Sequence, residues 1–333
     1  MTSSTSSARN RYPMLDIARG LAIAAMVAYH AAWDADFIGL APQDFFAGWG
    51  WEWFRRAILG SFLLLVGVSL VLAHGAGFRA GRFWRRFAMI AAGALVITLV
   101  SARAFPQHMI VFGVLHNIAV SSLLGLAFLR LPWPVTGLAG LAVIAAGTLG
   151  PGLFDTPALG WIGFMRTPPV SRDFVPLAPW FGAVLLGMAL ARAAPPALAR
   201  LGAARPGGAA GRLLAFGGRH SLAAYLLHQP VIFLLLAGIA ALTLPAGAVS
   251  WTGGGGAVHS AAYARGFTAA CRRNCAAGGL SAAACAAYCQ CMLSHVRREP
   301  AVADLDPRTI SPRGRARLQA LGRQCLARGG TPR

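Results

Sequence analysis

Apolar residues gather into long runs between residues 14 and 247, and shorter polar segments separate these runs. A helix that crosses a bilayer needs about 20 predominantly apolar residues, and seven runs come close to that length. The runs cover residues 14–34, 57–74, 86–102, 108–129, 133–150, 176–193 and 219–247. This pattern predicts an all-α, polytopic transmembrane helix bundle with about seven spans.

The composition agrees with a membrane protein. Hydrophobic residues make up 56% of the 333-residue chain, charged residues make up 12%, and the mean hydropathy is +0.58. The net charge of +20 comes entirely from arginine, because the chain contains no lysine. A soluble protein of this charge would suggest nucleic acid as a partner, but here many arginines flank apolar spans. We therefore expect membrane lipids, and no nucleic acid, as the partners of these charges.

Arginines also predict the topology. They concentrate between spans two and three and between spans six and seven, whereas acidic residues concentrate between spans one and two. The positive-inside rule then places the N-terminus, with an uncleaved first span, and the even-numbered loops in the cytoplasm. An odd number of spans places the C-terminus outside the cytoplasm. Residues 191–212, rich in alanine, proline and arginine, are predicted as a cytoplasmic loop.

The composition changes after span seven. Residues 1–247 are predicted as the membrane domain, residues 248–259 as a glycine-rich linker, and residues 260–333 as a basic extracytoplasmic tail. The tail holds all six cysteines, which are Cys271, Cys275, Cys285, Cys289, Cys291 and Cys325.

The cysteine spacing predicts a small helical tail closed by disulfides. Cys271 and Cys275 lie one helical turn apart, as do Cys285 and Cys289. Two helices back to back would join Cys271 to Cys289 and Cys275 to Cys285, and would leave Cys291 for Cys325. An even number of cysteines outside the cytoplasm favours disulfides. Zinc binding by the Cys-Gln-Cys segment and His295 is the alternative.

Four titratable residues lie on one face of the first span. They are Asp16, Arg19, His30 and Asp34; the eleven steps from Arg19 to His30 make about three helical turns. Charged groups within a span usually face a bundle interior or an aqueous cavity, so this face is predicted to line a cavity. The simpler alternative is that Asp16 and Arg19 form an interfacial ion pair and that His30 is an ordinary buried histidine.

Other spans carry polar groups as well. His116 and Asn117 lie in span four, and Ser221, Tyr225 and His228 form a ridge along span seven. Interhelical hydrogen bonds are the alternative explanation for each. The chain has no H-E-x-x-H pattern, phosphate-binding loop or dinucleotide fingerprint. We therefore expect no bound metal and no permanently bound cofactor.

Several stretches resemble one group of membrane enzymes. "RYPMLDIARGLAIAAMVAYH" resembles the first helix of the multipass acyltransferase superfamily, and Arg19 and His30 match the R-x10-H pattern of its acyltransferase-3 branch. The remainder is more similar to the heparan-alpha-glucosaminide N-acetyltransferase-like branch, through "LGSFLLLVGVSLVLAHG", "VFGVLHNIAVSSLLG", "RDFVPLAPWFGAVLLGMAL" and "GGRHSLAAYLLHQPVI". The resemblance covers about residues 9 to 240.

The resemblance implies a bacterial inner-membrane acyltransferase. The donor would be acetyl-CoA or another acyl-CoA from the cytoplasm, and the acceptor a sugar or amino sugar on the far side. His30 would be the catalytic base or a transient acyl carrier, His228 a second catalytic histidine, and Arg19 a donor-binding residue. His116, Asn117 and Tyr225 are assigned to the acceptor.

Elementary chemistry supports these roles. The unperturbed pKa of histidine, about 6.5, suits a base at neutral pH, and Asp34, one turn beyond His30, is placed to orient its ring. Guanidinium groups bind phosphate with two hydrogen bonds, so Arg85, Arg86 and Arg219 are further donor-binding candidates, with topology control as their alternative role. N- or O-acylation and the oligomeric state, a homo-oligomer included, stay open.

Two other functions fit the same sequence. A transporter or channel would use the polar face of the first span as a proton or substrate path. A catalytically silent scaffold would serve only to display the disulfide-closed tail.

Overall fold

The computed structural model describes residues 12–38, 40, 49–104, 106, 109–149, 152, 156–166, 169, 171, 173–196, 200, 204, 207–243, 261–277, 279–298 and 312–328. Throughout these residues the regular structure is helical, with no strand. The predicted all-α class is therefore confirmed.

Seven apolar helices correspond to the seven predicted spans. They are α1 (Pro13–Ile38), α2 (Trp49–His74), α3 (Ala80–Ala104), α4 (Val114–Gly125), α5 (Trp133–Leu149), α6 (Leu177–Ala193) and α8 (Ser221–Thr243). Four of them, α1, α2, α3 and α8, are long and apolar enough to cross a membrane. The other three are shorter, although a 3-10 turn over Leu126–Phe128 extends α4. The chain is thus a multipass membrane protein.

One further helix was not predicted. Helix α7 (Gly208–Arg219) begins inside the segment 191–212, for which the sequence predicted a loop. Its glycines hide the helical pattern, since glycine weakens a helix. The structure gives one reason for glycine here: a Cβ on Gly218 would overlap the backbone of Asp16. Helix α7 therefore packs directly on the start of α1, which a flexible loop would not do.

The described residues divide into two compact units. The first unit comprises residues Met1–Tyr29 and Trp49–Gln229, and the second comprises His30–Gly48 and Pro230–Arg333. Helices α1 and α8 each contribute residues to both units.

The core of the first unit forms where α2 and α6 meet. Leu63 of α2 and Val184, Leu185 and Met188 of α6 are completely buried there. A Cβ on Gly67 would overlap the carbonyl oxygen of Val184. Small residues that let helix backbones approach closely are typical of helix packing in membranes, and this contact fixes the two helices against each other.

A guanidinium joins the end of α4 to α6. Arg192 donates hydrogen bonds to the carbonyl oxygens of Leu131 (2.7 Å) and Phe128 (3.0 Å) and also to that of Leu129. These carbonyls lie at and just beyond the helix end, where backbone partners run out; that of Phe128 also accepts the N–H of Leu131 at 3.3 Å. Arg192 thus caps a neighbouring helix.

The second unit contains the Cys-rich helices α9 (Ala261–Ala277), α10 (Ala282–Arg298) and α11 (Pro312–Arg328). Disulfides join Cys271 to Cys289, Cys275 to Cys285 and Cys291 to Cys325. The predicted disulfides are confirmed, with the pairing that back-to-back helices favour. His295 lies beside the third disulfide, within 4.8 Å of its sulfurs. Those two sulfurs, which zinc would need as thiolates, are bonded to each other.

Candidate active site

A group of arginines lies around the first turns of α1. The Arg19 guanidinium forms a salt bridge of 2.7 Å with Asp16 and donates a hydrogen bond of 2.8 Å to Ser69 Oγ near the end of α2. The charge of Arg86, near the start of α3, interacts with that of Arg19. We call Asp16, Arg19, Ser69 and Arg86 the arginine group. It holds two cations and one carboxylate, so it carries a net positive charge.

The other three arginines predicted to bind the donor are more exposed than Arg19. Arg85 and Arg86 are both exposed on α3, and the charge of Arg86 interacts with that of Arg19. Arg219 is exposed, with its guanidinium 6.0 Å from the ring centre of Phe216. Asp16 and Arg19 form the ion pair that the sequence analysis gave as their simpler role. Donor binding by the four arginines stays a prediction.

A second polar group surrounds Asp173, which lies just before α6. The backbone N–H of Val114 donates to Asp173 Oδ2 at 3.0 Å, and the Tyr225 side chain interacts with the same carboxyl group. The positive charge of Arg55 also acts on this carboxylate. We call Arg55, Val114, His116, Asp173, Tyr225 and His228 the Asp173 cluster.

Asn117 fixes the segment that carries Asp173. Its side-chain nitrogen donates to the carbonyl oxygens of Val175 (3.2 Å) and Pro176 (2.9 Å). Its oxygen accepts from Ser121 Oγ at 2.9 Å, and its side chain is completely buried. Both ends of the amide are thus used within the protein. The predicted contact of Asn117 with the acceptor stays a prediction, while its role in holding the Asp173 segment is evident.

His116 is bound at both ring nitrogens. Nδ1 accepts the backbone N–H of Gly113 at 3.2 Å, and Nε2 lies 3.2 Å from Thr98 Oγ1. Because the Thr98 hydroxyl donates to the carbonyl oxygen of Ile110, it accepts from His116. The neutral ring therefore carries its proton on Nε2. His116 joins the end of α3 to the loop beside Asp173.

His228 lies next to Tyr225 on α8. Its Nδ1 is 2.7 Å from the carbonyl oxygen of Tyr225, and the two ring centres are 5.8 Å apart. A carbonyl oxygen can only accept, so Nδ1 carries the proton of the neutral ring and Nε2 is the basic nitrogen. The structure thus brings together two predicted site residues, Tyr225 and His228, and adds Asp173 to them.

The start of α2 supplies the charges around this cluster. Arg55 forms a salt bridge of 2.9 Å with Glu52, and its charge interacts with Tyr29 as well as with Asp173. Glu52 also binds Arg56 at 2.8 Å. The Arg55 guanidinium therefore acts on Asp173 from a position where Glu52 already holds it.

The burial of Asp173 has an electrostatic consequence. Loss of water raises the pKa of its carboxyl above the usual value, because the charged form is the more costly to bury. The Val114 N–H, Arg55 and Tyr225 all favour the charged form and oppose part of this shift. Protonation of Asp173 therefore begins at a higher pH than for an exposed aspartate.

The two polar residues of α1 predicted for catalysis belong to the second unit. His30 is partly buried, and Asp34, one helical turn further on, is completely buried. Nearby on the same helix, the rings of Trp33 and Phe37 stack at 5.3 Å. The separation of one helical turn between His30 and Asp34 is compatible with an aspartate that orients a histidine. The roles of His30 and Asp34 stay predictions.

The sequence missed four side chains of these networks. They are Arg55, Ser69, Thr98 and Asp173. Arg55 follows an acidic loop and looks like one of the arginines that flank a span and set its orientation. Thr98 is a single weakly polar residue within an apolar run and gives no signal. Asp173 had a usable signal, since an acidic residue directly before an apolar helix is costly and invites a specific role.

A polytopic helix bundle with half-buried histidine, tyrosine and aspartate side chains between its helices defines a multipass membrane protein with a polar site. The family model for the heparan-alpha-glucosaminide N-acetyltransferase catalytic domain matches residues 11–230, about two thirds of the chain. The chain therefore belongs to this family, as its resemblance to that branch predicted, and it is a membrane acetyltransferase that acts on a glycan-type acceptor. Neither a search of curated proteins nor a search of solved structures returned a match.

Proposed function

We propose that this protein transfers an acetyl group from cytoplasmic acetyl-CoA to the amine of an amino sugar on the other side of a bacterial inner membrane. The family match supports N-acetyl transfer to a glycan. The positive-inside distribution of arginines supports a cytoplasmic donor side.

The separation of two polar groups within the first unit is the observation that carries this proposal. Helix α2 contributes Ser69 near its end to the arginine group and Arg55 near its start to the Asp173 cluster. Helix α3 likewise contributes Arg86 near its start and, through His116, Thr98 near its end. The unit thus has a cationic end and an end that carries histidines and a carboxylate.

The cationic end suits an anionic donor. Coenzyme A carries phosphates, and the charges of Arg19 and Arg86 act on each other while Asp16 forms a salt bridge with Arg19. A bound phosphate would relieve the repulsion between the two cations and accept hydrogen bonds from both. Arg85 and Arg219 would extend this attraction at the surface.

The transfer itself requires a base. The amine nitrogen attacks the thioester carbonyl carbon of acetyl-CoA, so that a carbon–nitrogen bond forms as the carbon–sulfur bond breaks. Starting from the protonated amine, one proton passes to His30 and then to water, and a second protonates the departing coenzyme A sulfur. Asp34 would hold the ring of His30 in the tautomer that can accept this proton.

Transfer of labelled acetyl from acetyl-CoA in membranes tests the proposal. The wild type, His30→Ala, His228→Ala and His220→Ala would be offered a panel of amino sugars and their hydroxyl analogues. We expect label on an amino sugar with the wild type and with His220→Ala, whose ring is exposed, and none with His30→Ala. Because removal of a general base alone costs about 10²- to 10⁴-fold, a His30→Ala rate close to wild type would sink this assignment.

Two other outcomes are informative. Label that stays on the wild-type protein without acceptor, and not on His30→Ala, would identify His30 as an acyl carrier and not as a base. No label on any acceptor, combined with pH-dependent flux in liposomes without acetyl-CoA, would instead support a transporter.

A further inference from the structure

Resting on the proposed function, we propose that Asp173 is the residue that binds the protonated amine of the acceptor and that Tyr225 holds its carboxylate in position. Asp173 and Tyr225 would thus select an amino sugar over the corresponding neutral sugar.

The first argument is the charge balance of the carboxylates in the first unit. Asp16 and Glu52 each form salt bridges with arginine, at 2.7 Å and at 2.8–2.9 Å respectively. Asp173 forms no salt bridge with any residue that the structure describes, and a hydrogen bond from the Val114 N–H and an interaction with the Tyr225 side chain hold it instead. Arg55 acts on it only at longer range. A bound ammonium would give Asp173 the close cation that the other two carboxylates have.

The second argument is that the carboxylate is fixed in place. A backbone N–H holds Oδ2 from one side, the Tyr225 side chain binds the group from α8, and Gly113 packs against it without a side chain. Val175, two residues on, donates its N–H to the carbonyl oxygen of Phe112 at 3.0 Å. A carboxylate held from three directions suits the recognition of a substrate group with defined geometry.

The third argument is the proximity of a histidine. Tyr225 contacts Asp173 through its side chain and His228 through its carbonyl oxygen. A substrate amine bound to Asp173 would therefore lie close to the residue that carries His228. The ring of Tyr225 also packs with Ile23, Met26 and Ile58, which gives this side of the cluster an apolar wall.

Acceptor discrimination by Asp173→Asn tests the inference. The Michaelis constants of an amino sugar and of acetyl-CoA would be measured, together with the inhibition constant of the neutral sugar that has a hydroxyl in place of the amine. In the variant we expect the amino-sugar KM to rise about 10- to 100-fold, as expected for the loss of one charge-assisted hydrogen bond. The KM of acetyl-CoA and the inhibition by the neutral sugar should change less than about twofold.

Two further variants keep the test sharp. Tyr225→Phe retains the ring and removes the hydroxyl, so it should raise the amino-sugar KM in the same direction by a smaller factor. Asp304→Asn, which makes the same chemical change in the tail, should leave every constant at its wild-type value. The melting temperature of each purified variant shows whether it is folded.

The failures of the two proposals can be told apart. No transfer by the wild type would overturn the proposed function. Transfer by the wild type, with an Asp173→Asn variant that still prefers the amino sugar over the neutral sugar to the same degree, would overturn the role of Asp173 alone. A merely structural role would weaken amino sugar and neutral sugar equally, and that result also counts against the inference. If Asp173→Asn does not fold, unchanged discrimination by folded Tyr225→Phe overturns it.

Discussion

The arginine group and the Asp173 cluster solve opposite electrostatic problems in one unit. At the first, the charges of two guanidinium groups act on each other, and Asp16 and Ser69 bind Arg19 directly. At the second, a carboxylate is held by a backbone N–H and a tyrosine, with a cation only at longer range. One group therefore has spare positive charge and the other has spare negative charge.

This difference bears directly on function. A charge within a membrane protein is costly unless a partner compensates it, so each uncompensated charge marks a place where a ligand can supply the partner. The arginine group fits a phosphate-bearing donor and the Asp173 cluster fits a cationic acceptor. Variants at the two groups should therefore affect different substrates.

Gly113→Ala should cause the largest loss of activity toward the acceptor. The backbone of Gly113 is extended (φ −95°, ψ −169°), so alanine adopts it without strain. The new Cβ, however, would overlap the Asp173 carboxylate and come within 3.0 Å of Ile110. Since displacement of a group by about 1 Å can cost about 100-fold in rate, we expect kcat/KM for the acceptor to fall by about that factor. The KM of acetyl-CoA should be unchanged.

Gly81→Ala is the matched control for this variant. A Cβ on Gly81, at the start of α3, would have no neighbour within 4 Å among the described residues. It should therefore retain wild-type kinetics. An equal loss in both variants, or a loss in Gly113→Ala that appears in the KM of acetyl-CoA, would contradict the assignment of this end to the acceptor.

The pH dependence of acceptor binding provides a smaller effect with a defined sign. Burial raises the pKa of the Asp173 carboxyl, so its negative charge is present at high pH and is lost as the pH falls through that raised pKa. Amino-sugar affinity should therefore fall by up to about tenfold per pH unit on the acidic side. Titration calorimetry with the His30→Ala variant measures binding without turnover and without the titration of His30.

Other titratable and charged groups near Asp173 must be separated from it. Arg55 from α2 and Tyr225 from α8 act on the carboxylate directly. Glu52, His228 and His116 are linked to it only through neighbours, Glu52 through Arg55, His228 through Tyr225 and His116 through Gly113. Compared with His30→Ala, the double variant His30→Ala/Asp173→Asn retains His116 and His228 and removes only the carboxylate. Its acceptor affinity should be weak and independent of pH on the acidic side; an unchanged acidic limb would assign the titration to a histidine.

The sequence predicted the helices well because their signal is local. A run of apolar residues is sufficient to specify a span, and all seven predicted runs became helices. The cysteine spacing was equally informative, because residues four apart lie on the same side of a helix. Helix α7 was missed where glycines and alanines replace the usual apolar pattern.

The polar groups were harder to predict because they depend on tertiary contacts. Asp173 meets Val114 across 59 residues of sequence, and Arg19 meets Ser69 across 50. The spacing of residues within one helix cannot predict a contact between segments that are so far apart in the sequence. The sequence identified His116, Tyr225 and His228 as unusual because each is a polar residue in an apolar helix, yet it gave no information on which of them would share a neighbour.

Arg86→Gln should produce the smallest of these effects, and at the opposite end. Its side chain is exposed, so water and salt screen its interaction with a phosphate, and we expect the KM of acetyl-CoA to rise by up to about fivefold. The KM of the amino sugar should stay unchanged.

Arg103→Gln is the control for this variant. It removes another exposed arginine from the other end of the same helix and should affect neither constant. Raising the salt concentration should increase the acetyl-CoA KM of the wild type more than that of Arg86→Gln, because the wild type has one more charge that salt can screen. An effect of Arg86→Gln on the acceptor would show that the two ends are not separate.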